Sequence, residues 1–201
     1  MSFEIWLAFA IASATVLAIP GPTVMLVVSY ALGRGRGTGW ATVPGVTLGD
    51  FTAMTVSLAG AGALLATSAT LFTVFKVCGA AYLIWLGIQL WRADPSPEAL
   101  EQVTAKRGSG RWSMFRNAWV VTALNPKSIV FFIAFVPQFV TAQAPLLPQF
   151  VILETTFLAL AALNVALWAM AAGSLRERFR KPATLRLVNR LGGSLLIGAG
   201  A

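Results

Sequence analysis

The sequence predicts an all-α membrane protein with six transmembrane helices, arranged as two inverted three-helix repeats whose first helices are broken at proline. Composition is the first reason. Of 201 residues, 57% are hydrophobic and 11% charged, against about 45–50% and about 25% in a soluble chain. A mean hydropathy of +0.76 over the whole length points the same way. The second reason is length: at roughly 20 apolar residues per crossing, the chain holds about six spans with short loops and no separate soluble domain. The third is that Pro20-Gly21-Pro22 and Asn125-Pro126-Lys127 each interrupt an otherwise apolar stretch.

The apolar stretches run from Ile5 to Leu32, Trp40 to Ala66, Leu71 to Trp91, Trp112 to Val140, Leu146 to Gly173 and Leu187 to Ala201. The first reads as a retained span rather than a cleaved signal. Only Glu4 precedes it where a basic region belongs, and it continues apolar beyond Pro22. The sixth is short, rising only about 22 Å against a hydrocarbon core of roughly 30 Å. Either the chain continues past Ala201 or this helix begins at depth.

Loop charge sets the expected orientation. Arg34 and Arg36 follow the first span; Arg92, Lys106, Arg107, Arg111 and Arg116 surround the loop between the third and fourth. Arg176, Arg178, Arg180, Lys181, Arg186 and Arg190 lie between the fifth and sixth, so 13 of the 15 basic residues fall on one side. The connections around Thr67–Thr70 and Thr141–Pro145 carry none. The basic side is expected in the cytoplasm and both termini outside. Insertion thus accounts for the net charge of +8 without nucleic acid. Asp94 to Gly110, rich in Pro, Glu, Lys and Gly, reads as a mobile cytoplasmic linker.

Residues 1–91 and 112–201 each supply three spans, with 92–111 as linker. An odd number per half makes any repeat inverted. Asp50 follows Pro20 by 30 residues and Glu154 follows Asn125 by 29. Lys76 precedes Gly79 by three, as Arg190 precedes Gly193. Proline removes a backbone donor and clashes with the preceding turn, so each motif should open its helix. At bilayer depth the freed polar groups need protein or a wet cavity. A matched pair of broken spans is the best sequence pointer to a transporter's substrate site.

Two of the seven acids, Asp50 and Glu154, lie within apolar spans. A carboxylate there costs a few kcal/mol, so it should face the bundle interior. Each is a candidate to carry a proton or hold an ammonium group. The plainer readings are that Asp50 pairs with Lys76 or Lys127, and that Glu154 sits near the outer interface. Gly45 and Gly49, four apart, allow a neighbouring backbone close to Asp50. Lys127 either snorkels or, at a broken helix, attracts a substrate carboxylate; snorkelling is the expectation for Lys76. Asn164, with Trp168, offers a polar-aromatic face or a helix–helix hydrogen bond. Tyr82 shares a face with Lys76 and Gly79, where packing is the default. Trp6, Trp40, Trp91 and Trp112 mark span ends as an interfacial belt.

The absences exclude much. Without histidine and with Cys78 as the lone cysteine, imidazole catalysis, disulfides and thiolate metal cages fall away. Two buried acids are too few for a dedicated cation cage. No nucleophile has a basic partner, so an enzyme is not expected and no cofactor is required.

The chain resembles the lysine exporter (LysE/RhtB) family of bacterial amino-acid efflux transporters. The likeness rests on Pro20-Gly21-Pro22, the Gly33-Arg34-Gly35-Arg36-Gly37 turn, Gly45-Val-Thr-Leu-Gly49-Asp50, and Lys76 through Gly79 and Tyr82 to Gly87-Ile88. It continues with Asn125-Pro126-Lys127, Phe131-Phe132 and Pro137-Gln138-Phe139. The resemblance implies six spans in the bacterial inner membrane and export of lysine, arginine, homoserine, threonine or leucine by proton antiport. Its pattern residues map to Pro20, Gly21, Pro22, Asp50, Asn125, Pro126 and Lys127; Glu154 is added by the repeat argument alone. Expected partners are an amino-acid substrate and membrane lipid. Small residues at Gly60-Ala-Gly62 offer a face for a homodimer. The rival readings are a metal-cation efflux protein and a non-transporting membrane accessory subunit.

Overall fold

A computed structural model describes residues 1–67, 69–92, 110–141 and 144–174, together with 186, 187, 190, 191, 193, 194, 197 and 198. Residues 93–109 of the expected linker, most of the basic loop before the sixth stretch, the side chain of Lys76 and the surroundings of Gly62 lie outside the described residues. All regular structure among the described residues is helical.

Helix α1 (Phe3–Ala18) starts at Ser2, whose hydroxyl accepts from the Ile5 amide at 3.4 Å. It stops where the sequence says it must. Ile19 precedes Pro20 and is extended at ψ 115°, as the clash with a proline ring requires. Helix α2 (Pro22–Arg34) then begins with Pro22 in its first turn, where a missing N–H costs nothing. The two axes meet at 53°. Gly35 ends α2 with φ +85°, a conformation open to glycine, and a short 3₁₀ turn, Arg36–Thr38, leads on.

Helices α3 (Gly39–Thr67) and α4 (Ala69–Arg92) follow. Helix α5 (Arg111–Ala123) ends before a second break, and α6 (Pro126–Ala134) restarts at proline. Asn125 caps α6 by accepting from the Lys127 amide at 3.1 Å. The α5–α6 bend is 44° when α6 is continued through the 3₁₀ turn Val136–Phe139. Helix α7 (Leu146–Ser174) follows. Its entry is clamped by the buried Gln149, which accepts from the Thr141 amide at 2.9 Å and donates to the Thr141 carbonyl at 3.0 Å.

Among the described residues, Leu146–Ala172 is the single helix that is long and apolar enough to cross a bilayer unbroken. The α1–α2 and α5–α6 pairs meet the same requirement when each is taken as one bent span. Both breaks fall at the expected prolines. The exterior is apolar, with Trp40 85% exposed and Leu147 and Trp112 also largely uncovered.

Lipid tails give helices no hydrophobic reason to associate, so close packing must do it. Gly45 and Gly49 put α3 against α5: a methyl on Gly45 would lie 2.5 Å from the Phe115 carbonyl oxygen, and one on Gly49 2.6 Å from Thr122 Cβ. The expectation drawn from these two glycines holds. Helix α7 runs antiparallel to α3, with Gly39 beside Ala169 and Thr55 beside Glu154. Gly193 faces Gly87, and the Trp91 indole donates to the Ser194 hydroxyl at 3.2 Å. Gly60 is exposed with open space around it.

Two apolar clusters sandwich the breaks. One joins Phe9 and Val16 to Met54, Phe131, Phe132 and Phe157. The other joins Leu26, Val27 and Tyr30 to Val46, Ala118 and Val165. Between them lies a thin polar layer.

Candidate functional site

That layer is built from the ends of broken helices. A helix C-terminus leaves carbonyls without intrahelical partners, and α1 ends inside the bundle. Lys127, on the first turn of α6, supplies two donors: its Nζ bonds the Val16 carbonyl at 2.9 Å and the Ile19 carbonyl at 2.7 Å. Asn164, from α7, donates its amide to the Leu17 carbonyl at 2.9 Å. A cation at a helix C-terminus is also favoured by the helix dipole. The second break is stitched to the first through hydroxyls. Asn125 Nδ2 donates to Thr23 Oγ1 at 3.3 Å, and Thr23 shares a 3.2 Å hydrogen bond with Thr122.

A cavity of about 30 Å³ lies here, walled by Val16, Ile19, Gly21, Asp50, Lys127 and Asn164 among others. It has room for roughly one water molecule. Asp50 enters from α3, 3% exposed, close enough to Lys127 for the two to interact electrostatically. Among the described residues no hydrogen bond or ion pair closes on its carboxylate. The apolar part of the wall comes from Val24, Val46, Phe131, Phe157 and Val165.

Most residues singled out in the sequence meet here. Gly21, Asp50, Asn125, Lys127 and Asn164 line the cavity; Pro20 is buried at the first break, and Pro22 and Pro126 open the two downstream half-helices. Asn164 makes a helix–helix hydrogen bond, from α7 to the end of α1. Glu154 is not among the lining residues; it sits one turn before Phe157 and accepts from the Thr55 hydroxyl at 2.7 Å. Tyr82 packs on Trp85 with ring centroids 5.4 Å apart. Thr23 and Ser128 also line the cavity and Thr122 bonds Thr23, though nothing in their residue types singles them out. Thr23 follows Pro20-Gly21-Pro22 directly, and that adjacency was the available signal. The α1 carbonyls had none, since every residue carries one.

A wider apolar groove of about 980 Å³ lies between α3 and α7, along Trp40, Val43, Pro44, Leu48, Phe51 and Ala166. Its size does not make it the site: apart from Arg36 at one end, its wall is almost wholly apolar and opens on the exterior.

A family model for LysE-type translocators matches residues 14–201. The chain belongs to the LysE-type translocator family. Across its whole length this translocator is 32% identical to a homoserine/homoserine lactone efflux protein of Salmonella typhi, covering 96% of it. It is 30% identical over 92% of its length to a leucine efflux protein of Enterobacter, covering 88% of that chain. A membrane protein of Vibrio cholerae is 33% identical to the translocator over its full length. No solved structure matches it.

Proposed function

We propose that the chain is a secondary-active exporter of small amino acids across the bacterial inner membrane, driven by proton antiport. The observation that carries this reading is the meeting of two proline-broken helices at one buried polar cavity. In this scheme two sets of three spans alternate access by rocking about that layer, with the basic loops cytoplasmic and both termini outside. The N-termini of α2 and α6, at the positive ends of their helix dipoles, suit a carboxylate. The C-terminal carbonyls of α1, with Asp50, suit an ammonium. Asp50 is also the proton carrier, so that a bound proton and a bound ammonium exclude one another and proton uptake drives substrate release.

The wall favours a neutral side chain. Among the described residues Asp50 is the only acid lining the cavity, and a lysine or arginine substrate would bury a second cation with no second acid there to offset it. Homoserine, threonine or leucine meets Val24, Val46 and Phe157 without that cost. The names of the relatives, homoserine/homoserine lactone efflux protein and leucine efflux protein, support this class over the dibasic one. A cavity sized for one water also requires the helices to part before an amino acid enters, as alternating access demands.

The test is transport by the full chain in proteoliposomes loaded with labelled homoserine, threonine, leucine and lysine, with and without an imposed pH gradient. Gradient-driven movement of the neutral amino acids, with lysine much slower, is expected. No movement of any amino acid by folded protein would overturn the assignment.

A further inference from the structure

An ammonium group already occupies the place that the transport reading assigns to the substrate's amine. The Val16 and Ile19 carbonyls converge on Lys127 Nζ at 2.9 and 2.7 Å. Asp50 lies in the same cavity, 3% exposed and with no hydrogen bond among the described residues. Two carbonyl oxygens and a carboxylate are a suitable set for a primary ammonium, which has three N–H donors and no acceptor. The Lys127 side chain reaches this spot from the first turn of α6, passing Gly21, where an added methyl would meet its Cδ at 3.5 Å and its Nζ at 3.6 Å. No amino acid fits beside it in about 30 Å³.

We infer that Lys127 is a tethered occupant of an ammonium subsite formed by the Val16 and Ile19 carbonyls and Asp50, and that the substrate's amino group displaces it. The inference rests on the exporter reading and adds to it. Because the tether belongs to α6 and the carbonyls to α1, displacement cuts a link between the two broken helices. Ligand entry and helix separation thus become one event. A substrate without a primary or secondary ammonium cannot take the place of Lys127, so N-acetylated amino acids should be excluded whatever their side chain.

The sign of one measurement separates this role from the others. A competitor, once removed, leaves ligand binding tighter; a lysine that holds the substrate carboxylate, once removed, leaves it weaker. In Lys127→Ala, homoserine affinity measured calorimetrically on the full chain in detergent is expected to rise about tenfold, the scale of a charge-assisted hydrogen bond, while transport slows. Weaker binding by the folded variant would overturn the inference.

A second arm does not depend on transport. Ethylammonium should fill the subsite emptied in Lys127→Ala and raise its melting temperature. Tetramethylammonium, which has no N–H donor, should not. Equal effects of the two cations would also overturn the inference. If wild-type protein moves no amino acid yet ethylammonium alone stabilises the variant, the exporter reading fails and the subsite stands. Should Lys127→Ala not fold, Lys127→Met keeps the length of the stem without the ammonium, and the direction of its change in homoserine affinity decides.

Discussion

Lys127 Nζ and the Ile19 carbonyl oxygen, 2.7 Å apart, join the start of one broken helix to the end of the other. The residues are 108 apart in sequence, and each is where it is because of a neighbouring proline. Pro20 forces Ile19 out of the helix and frees its carbonyl; Pro126 starts α6 so that Lys127 falls on its first turn. Neither proline supplies a hydrogen-bonding atom, yet both create the contact.

Asn164 repeats the same device from α7. Its amide serves the Leu17 carbonyl at 2.9 Å, so Asn164→Leu leaves a buried acceptor unpaired. Interhelical hydrogen bonds in membranes contribute about 0.6 kcal/mol on average and up to about 1.7. Asn164→Leu is therefore expected to destabilise by about 1 kcal/mol, read as a lower midpoint in denaturant titration in mixed micelles. A midpoint equal to wild type would mean that the carbonyl finds another donor.

Asp50 has a different consequence, because its carboxylate lacks a hydrogen bond among the described residues. Asp50→Asn keeps the size and removes the capacity to ionise. If Asp50 carries the proton, exchange of labelled for unlabelled homoserine persists in the variant while accumulation driven by a pH gradient falls to background. Retention of gradient-driven accumulation would move the proton site elsewhere, with Glu154 next to test.

The sequence made the breaks legible because proline acts locally, and made Gly45 and Gly49 legible because close helix approach needs small residues at helical spacing. It also brought out Asp50, Asn125 and Lys127, since polar groups in apolar spans must find partners. What it hid is of another kind. The 29-residue spacing from Asn125 points to Glu154, and such spacing fixes depth along a helix without fixing which face turns inward. On α7, Phe157, Asn164 and Val165 face the cavity, and Glu154 meets Thr55 instead. The Val16, Leu17 and Ile19 carbonyls are backbone atoms, so no residue type marks them.

Glycine substitutions test the packing that holds α3 to α5. Gly45→Ala places a methyl 2.5 Å from the Phe115 carbonyl oxygen and 2.9 Å from Ala118 Cβ, contacts that backbone cannot yield to cheaply. Overpacking of this kind costs about 1–3 kcal/mol, and a clear fall in thermal stability is expected. Gly60→Ala is the control on the same helix. Nothing lies within 4 Å of its added methyl, and alanine is the better helix former, so its melting temperature should match or exceed wild type.

Side-chain selectivity should follow the apolar wall rather than the polar layer. Val46 lines the cavity from α3, one helical turn before Asp50, and Val46→Ala removes two methyl groups without touching a hydrogen bond. A methylene-sized change in an apolar pocket alters discrimination by about 1–3 kcal/mol, roughly 10–200-fold. The ratio of leucine to homoserine export rates should therefore rise about tenfold in Val46→Ala, measured as competing efflux of the two labelled amino acids from the same proteoliposomes. An unchanged ratio would place the side-chain pocket away from Val46, on the α6 and α7 side of the cavity, where Phe131 and Phe157 form the opposite wall.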